Sequence, residues 1–200
     1  MNKINLLPKF SVFLLILFLS GCSGTVKNMR TISPEEVVTT PTEGKAMVIF
    51  MRPSGFGYAI QSSVFEIKND TPSLVGIVAA KKKVSYKLEP GQHVFMGISE
   101  NAEFMLAELE ENKTYYVLIT PKMGVWKQRI SFEPIHANKI NPSELNEWLE
   151  DCEWVAKSHA SEVWVNANKV SIQSKLTKYY PTWLNKDLSE RLRLLPQDGK

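Results

Sequence analysis

Ala46-Met47-Val48-Ile49-Phe50-Met51 is a continuous run of apolar residues. A short run of this kind is typical of a strand that is covered on both of its faces. The composition changes where the run begins, because residues 23–45 are rich in Ser, Thr, Pro, Glu and Gly and have no sustained apolar period. We therefore expect a folded domain that begins at Ala46, preceded over residues 22–45 by a flexible tether.

Further strand-like segments follow the run, with turn signals between them. Val84-Ser85-Tyr86-Lys87-Leu88 alternates strictly between apolar and polar residues, and Glu89-Pro90-Gly91-Gln92 has Pro and Gly where a type II turn requires them. The predicted strands are 46–51, 64–68, 74–78, 84–88, 93–98, 104–109, 114–120 and 126–132. Seven or eight short strands at near-regular spacing indicate a sandwich or a barrel, and the lack of helical crossovers indicates antiparallel pairing. We predict a mainly β fold, an antiparallel β-sandwich over residues 46–135.

The apolar period becomes helical in residues 136–200, which we predict to be a helical C-terminal extension. Asn141 is a suitable helix cap, and Pro142 suits the first helical position. One apolar stripe at helical spacing contains Leu145, Trp148, Leu149, Cys152, Val155 and Ala156. A similar stripe over 160–174 predicts a second helix or a bent continuation of the first, with the break at Ser158.

The end of the chain has weaker signals. Tyr180-Pro181 is expected to stop the helix, because the residue before a proline disfavours helical geometry. The spacing of Leu184, Leu188, Leu192 and Leu195 predicts a short final helix. Residues 196–200 are expected to be a loose tail.

Three segments resemble a family of uncharacterised bacterial lipoproteins. They are Arg52-Pro53-Ser54-Gly55-Phe56, Leu88-Glu89-Pro90-Gly91-Gln92-His93 and Asn112-Lys113-Thr114-Tyr115-Tyr116-Val117. The resemblance covers residues 46–135 and implies a small β-sandwich, similar in its Pro-Gly turn to surface-exposed PEGA-type domains. Its motifs are those of turns and strands, and the family brings no catalytic residues to this chain.

The N-terminus has the layout of a secretory signal. Lys3 and Lys9 precede the apolar run 10–19, which as a helix would extend about 15 Å and is too short to span a hydrocarbon core of roughly 30 Å. The run ends in Leu19-Ser20-Gly21-Cys22, which resembles the lipobox of bacterial lipoproteins. The alternative is an ordinary signal peptide followed by a cysteine that has no special role.

The lipobox resemblance implies a lipid anchor. Residues 1–21 would be removed, and Cys22 would become the first residue, with a diacylglycerol thioether on its sulfur and a further acyl chain, commonly palmitate, on its amine. Two or three acyl chains hold a protein on a bilayer where a single chain does not. Ser23, rather than an aspartate, follows the cysteine, which in Gram-negative lipoproteins implies the outer membrane, facing the periplasm.

Charge and cysteine content argue against a nucleic-acid-binding protein and against a disulfide-stabilised one. After loss of Lys3 and Lys9 the chain has 22 basic and 21 acidic residues, and this near balance argues against binding to nucleic acid. Cys152 is the only cysteine besides Cys22, so no disulfide can form within the lipidated chain. Cys152 is expected to be a buried, small apolar residue.

No catalytic or metal-binding pattern stands out. His93, His136 and His159 lie on three different predicted elements without the local spacing of a zinc site. The acids Glu100, Glu103 and Glu108 are the only cluster near strand ends. The run 81–83, three lysines, is expected to solvate a loop and to protect a sheet edge. We expect no cofactor, no metal and no enzymatic activity.

Aromatic residues of the C-terminal extension are the candidate interface. Trp154 lies off the predicted apolar stripe, and Tyr179, Tyr180 and Trp183 add aromatic surface nearby in the sequence. Exposed aromatic residues are favoured at protein interfaces. The alternative is that the helices pack on the sandwich through two faces and bury them all.

The sequence thus predicts an envelope lipoprotein that acts as a binding or structural module. Its partner would be another envelope protein that contacts the C-terminal helices. The second hypothesis is a small-ligand site in a pocket between sandwich and helices, which requires a cavity with inward polar groups. The third is an enzyme of an envelope polymer, which needs paired carboxylates or a metal.

Overall fold

The computed structural model describes residues 26–123 and 128–200. Leu19, Ser20, Gly21 and Cys22 of the predicted lipobox lie outside the described residues. Within the described ranges, eleven strands form two sheets. The strands are β1 (Met29–Thr31), β2 (Ala46–Arg52), β3 (Ser62–Lys68), β4 (Thr71–Val78), β5 (Lys82–Leu88), β6 (Gly91–Ile98), β7 (Ala102–Leu109), β8 (Thr114–Met123), β9 (Gln128–Pro134), β10 (Glu153–Lys157) and β11 (Leu192–Leu194). The helices are α1 (Pro142–Asp151) and α2 (His159–Leu184).

The two sheets form a sandwich-like, mainly β fold. The six-stranded sheet has the order β1-β10-β5-β2-β8-β9, and the five-stranded sheet has the order β11-β7-β6-β3-β4. From β2 to β9 the chain alternates between the sheets: β2, β5, β8 and β9 belong to the six-stranded sheet, and β3, β4, β6 and β7 belong to the five-stranded sheet. The predicted fold class, mainly β with helix near the C-terminus, is confirmed.

The prediction of seven or eight antiparallel strands is wrong. Three neighbouring pairs are parallel: β2 with β8, β10 with β5, and β11 with β7. Parallel neighbours require long connections, and the chain provides them. All of β3–β7 intervenes between β2 and β8, and the helices of the C-terminal extension precede β10 and β11.

Strand β2 is the centre of the first sheet, and all seven of its residues are buried. On its inner face, the Phe50 ring lies 5.1 Å from that of Phe95 in the opposite sheet and 5.9 Å from that of Phe132. On its outer face, Met51 packs in a second cluster with Leu145 of α1 and Cys152. The prediction of a strand covered on both faces is confirmed.

The C-terminal extension is not purely helical. Asn141 caps α1, with its side chain accepting a hydrogen bond from the Ser143 amide at 3.0 Å, as its sequence predicts. The helix nevertheless ends at Asp151, and the residues predicted to continue it form β10 instead. Trp154 and Val155 favour strands as much as helices, and β10 gains main-chain pairing on both sides, with β1 and β5.

Helix α2 begins where the sequence predicts but extends further. Ser158 is its N-cap, so residues 142–184 contain two helices. The predicted stop at Tyr180-Pro181 is wrong, because α2 continues to Leu184. A proline removes only one helical hydrogen bond, and Trp183 is buried in the core in the turn that follows. Among the described residues, no helix combines the length and the hydrophobicity needed to cross a membrane.

The final helix and the loose tail are wrong predictions. Leu192–Leu194 forms β11 beside β7, and Leu194 is fully buried. Asp198 is buried and receives hydrogen bonds from His136 at 2.9 Å and from the Leu195 amide at 2.8 Å. Lys200 exchanges two main-chain hydrogen bonds with Thr114. The strand is favoured over a helix because it adds to an existing sheet edge and buries Leu194 there.

Part of the predicted tether belongs to the folded unit. Val26 is buried in the core, and Met29–Thr31 forms β1. Strand β1 pairs antiparallel with β10, so that Met29 lies opposite Lys157 and Thr31 lies opposite Val155. The folded unit therefore begins about twenty residues before Ala46, and its strands β10 and β11 lie beyond residue 135. Composition alone did not indicate this, because three residues are too few to show a strand period.

The lysine run 81–83 was interpreted as a solvated loop, but two of the lysines are buried. Lys82 pairs with Glu153 of β10, and the Lys83 ammonium donates to the Leu149 carbonyl. The Lys83 nitrogen also lies 4.5 Å from the centre of the Trp154 ring. The reason is that β10 occupies the edge of β5 that these lysines were expected to protect.

A buried carboxylate connects the two sheets. Glu66 of β3 accepts hydrogen bonds from Tyr86 of β5 at 2.5 Å and from His93 at 2.8 Å, and it pairs with Lys68 at 3.0 Å. Burial alone would raise the pKa of Glu66, but these hydrogen bonds outweigh it and lower the pKa to about 2. Glu66 therefore stabilises the fold in its charged form.

We expect the Glu66 network to make the fold sensitive to acid. A carboxyl with a pKa near 4.5 when unfolded and about 2 when folded contributes stability above pH 4.5, which is lost as the pH falls towards 2. The loss is up to about 3 kcal/mol. In urea unfolding, the free energy of unfolding should fall more steeply between pH 5 and pH 3 in the unmodified protein than in Glu66→Gln. The exposed Glu89→Gln variant should decline like the unmodified protein, and parallel curves for all three would contradict the prediction.

Candidate functional site

Two adjoining cavities lie between helix α2 and the five-stranded sheet. The first, of about 330 Å³, lies between the N-terminal half of α2, the end of β6 and the loop before β3, and Glu100 is at its border. The second, of about 440 Å³, lies between the C-terminal half of α2 and the start of β7, from Asn101 onwards. Because Glu100 and Asn101 are consecutive, we treat the two cavities as one feature and name it the trough.

The helix side of the trough is a single edge of α2. The residues that line it recur at intervals of three or four: Trp164, Asn168, Ser171, Lys175, Lys178 and Thr182. This spacing keeps side chains on one edge of a helix. Between residues 164 and 182 the trough is about 27 Å long, at 1.5 Å per residue. Lys175 crosses it, where its ammonium donates to the Glu100 carbonyl at 2.5 Å.

The trough carries more positive than negative side chains. Lys175, Lys178 and Lys186 line it, against Glu100 and Glu103. Within the described ranges, none of the three lysines forms an ion pair with a carboxylate. Lys178, Lys186 and the donors of Lys175 that the Glu100 carbonyl does not use therefore remain available to an anion.

Glu103 is the one half-buried acid of the trough. Its carboxylate accepts a hydrogen bond from the Phe132 amide at 2.7 Å. Burial raises the pKa of Glu103, and the bonds to Phe132 and Ser131 and the charges of Lys122 and Lys186 oppose the rise only in part. Glu103 is thus engaged with β9, and its charge is disfavoured by its surroundings.

Aromatic side chains line both halves of the trough. Trp164 and Tyr179 are half-buried, and the Lys178 ammonium lies 5.2 Å from the centre of the Tyr179 ring. Trp183 is buried at the base of the second half, stacked on Tyr180 at 5.6 Å and near Phe104 at 5.7 Å. The indole nitrogen of Trp183 is buried and has no hydrogen-bond partner among the described residues.

The predicted interface residues do not form one surface. Tyr179 and Tyr180 are half-buried, Trp183 is buried, and all three pack against the core at the C-terminal end of α2. Trp154 lies on β10, before the other end of that helix. The first residue of α2 lies about 36 Å along the helix axis from Trp183. Trp154 precedes that first residue, so it is far from the aromatic residues at the C-terminal end. Sequence reasoning grouped the four because it treated β10 as helix.

Sequence reasoning missed the polar residues of the trough. Asn168, Ser171, Lys175 and Lys178 are polar, and the apolar stripe predicted over 160–174 does not include them. Their common edge is visible in the sequence at i, i+3 and i+4 spacing, but nothing there indicates that a sheet faces it. The Asn168 amide nitrogen donates to the Trp164 carbonyl at 2.8 Å, and this bond to the main chain fixes the orientation of its side-chain oxygen.

The other candidate residues are used in the fold. His93 bonds to Glu66, His136 to Asp198, and His159 lies 3.7 Å from Glu162. No group of metal-ligating side chains occurs among the described residues.

Cys152 is buried, as expected. Burial raises the pKa of its thiol to about 11, which disfavours the reactive thiolate. The acids of the third hypothesis are engaged separately, since Glu108 pairs with Arg193 at 2.5 Å while Glu103 bonds to Phe132.

Comparison with known proteins finds no family model that matches the chain and no similar sequence among curated proteins. The resemblance to PEGA-type lipoproteins therefore stays a prediction from the sequence. The geometry of the trough is the basis for the functional proposal that follows.

Neutralising Glu103 is expected to leave the fold intact and to stabilise it at neutral pH. Because its folded pKa is raised, its charged form costs stability above the unfolded pKa, and this cost disappears as the pH falls. Glu103→Gln should therefore unfold at higher urea than the unmodified protein at pH 7, with the difference closing below pH 4. The exposed Glu133→Gln of the neighbouring strand is the control. A Glu103→Gln variant that is less stable at pH 7 would contradict the prediction.

Proposed function

We propose that the protein is a lipid-anchored lipoprotein of the cell envelope that acts as a binding module, with the trough as its ligand site. The observation that carries the proposal is the trough itself, two adjoining cavities between α2 and the five-stranded sheet with lysine, amide and hydroxyl groups along them. Its volume is in the range of ordinary ligand sites. The second hypothesis from the sequence required such a cavity.

The proposed anchor would hold the trough close to a membrane. Only Ser23, Gly24 and Thr25 separate Cys22 from Val26, which is buried in the core. Four steps of extended chain reach at most about 14 Å. A lipidated Cys22 would therefore keep the folded unit against the bilayer surface, in contrast to the long reach expected of a tether over residues 22–45.

Binding is proposed in preference to catalysis because of how the reactive side chains are engaged. Glu103 already bonds to a main-chain amide, and the Cys152 thiol lies in a separate cluster beneath α1. The residues that remain accessible in the trough are lysines, amides and hydroxyls, which bind and orient groups. No cofactor is part of the proposal.

A second candidate function is docking of an envelope protein on the outer face of α2. Val170 is 85% exposed and Val163 is 54% exposed, and the two lie on the side of the helix opposite its buried residues. The two side chains lie two helical turns apart on one face, and this small apolar patch is the observation that favours an interface there. In this function the sandwich would be a support, and the trough would be incidental.

Removal of the proposed anchor should abolish lipidation and processing. Cys22→Ala is expected to lose palmitate labelling and to keep its signal peptide, because no acyl chain can be attached. Cys152→Ala is the matched control, since it removes the only other cysteine, and it should remain labelled. The anchor is refuted if Cys22→Ala is still labelled and processed like the unmodified protein.

Photo-crosslinking in intact cells would separate the two functions. A photoreactive residue at position 171 faces the trough, one at the neighbouring position 170 faces outwards, and one at position 169 is a control on the third side. An adduct from 171 alone is expected. An adduct from 170 alone would identify the outer face as the site, and mass spectrometry would name the partner.

A further inference from the structure

We infer that the trough binds an extended acidic glycan, a sugar chain that carries carboxylate or phosphate groups. This inference rests on the proposed function and names the ligand class of the same site. It follows from the shape of the trough, from its charge and from the kinds of polar group that line it.

The shape of the trough suits a chain rather than a compact metabolite. Its two cavities follow each other along about 27 Å of one edge of α2, from Trp164 to Thr182. The bond from Lys175 to the Glu100 carbonyl crosses it near the middle. A small ligand would fill one half only, whereas a linear polymer contacts both.

The charge of the trough favours an anionic ligand. Lys175, Lys178 and Lys186 have no carboxylate partner among the described residues, and they lie along the trough at intervals of one to two helical turns. The ammonium group of a lysine is a point charge with three donors and accepts carboxylate or phosphate without a fixed geometry. Repeated acidic groups on a polymer would match such a row. The single half-buried acid, Glu103, is directed to the Phe132 amide.

The neutral groups of the trough favour sugar over peptide. Gln61, Asn101, Asn168, Ser171 and Thr182 both donate and accept hydrogen bonds, as sugar hydroxyls require. Trp164 and Tyr179 add half-buried rings, against which the apolar face of a sugar can pack.

A bound peptide would instead pair its main chain with a strand at a sheet edge. The edges of the five-stranded sheet are β11 and β4, and neither of them lines the trough. The side chains of the trough therefore have to provide the recognition, which is the usual situation for a glycan.

The indole of Trp183 is an independent indication of a ligand. This residue is 6% exposed, lines the second half of the trough, and has a buried N–H group without a partner. A buried donor without an acceptor destabilises a fold. A ligand oxygen in the second half of the trough would be the acceptor that this N–H group lacks.

The test is calorimetric titration of the full chain in a non-ionic detergent. The probes are oligogalacturonate, a phosphorylated mannan, a neutral malto-oligosaccharide of equal length, and poly-glutamate as an acidic peptide. At least one acidic glycan should bind, more weakly as salt increases, and tighter than the neutral glycan. Which of the two binds distinguishes carboxylate from phosphate.

Variants locate the binding in the trough. Lys178→Gln should weaken binding of the acidic glycan about threefold, and the double variant with Lys186→Gln about tenfold. Lys169→Gln, on another side of the same helix, should stay within about twofold of the unmodified protein. Trp183→Phe removes the N–H group but retains the ring, and it should also weaken binding, with urea unfolding as the check on its folding.

Three results would overturn the inference: no binding of either acidic glycan, equal binding of the neutral glycan, or equal or tighter binding of poly-glutamate. If a photoreactive residue at position 171 still gives an adduct in cells, the proposal that the trough is a ligand site remains valid despite these results. A missing adduct at 171 together with failed titrations would remove both.

Discussion

Helix α2 is held at its two ends by strands of different sheets, and the rest of the structure depends on this constraint. Strand β10 precedes it in the six-stranded sheet, and β11 follows it in the five-stranded sheet. The helix must therefore cross the sandwich, and it packs on β4, β6 and β7 as it does so. Its residues Ile172, Leu176 and Trp183 are buried in the main hydrophobic core.

The trough is a consequence of this crossing. A helix has a roughly circular section, so when its inner side packs on a sheet a cleft remains along its edge. In this protein the cleft is lined by polar side chains of α2 on one side and by the β6–β7 turn on the other. Its direction and length are those of the helix, so a helix held by strands at both ends gives the ligand site a fixed geometry.

Two glutamates show how similar residues have opposite effects on the fold. Glu66 receives hydrogen bonds from three side chains, which stabilise its charge although it is fully buried. Glu103 receives weaker compensation for its burial, so its charge is disfavoured. The balance between desolvation and the donors that face the carboxylate decides the sign. Glu66 acts as a connection between sheets, while Glu103 lies at the border of the trough.

The sequence by itself determined the features that depend on local interactions. The apolar run of β2 indicated a strand covered on both faces, and Asn141 and Ser158 marked the helix starts. The same reasoning failed for Glu153–Lys157 and for Leu192–Leu194, because short segments fit either period and only an available sheet edge decides between them. The trough was likewise decided by tertiary structure, since the sequence shows one edge of a helix but not the sheet that faces it.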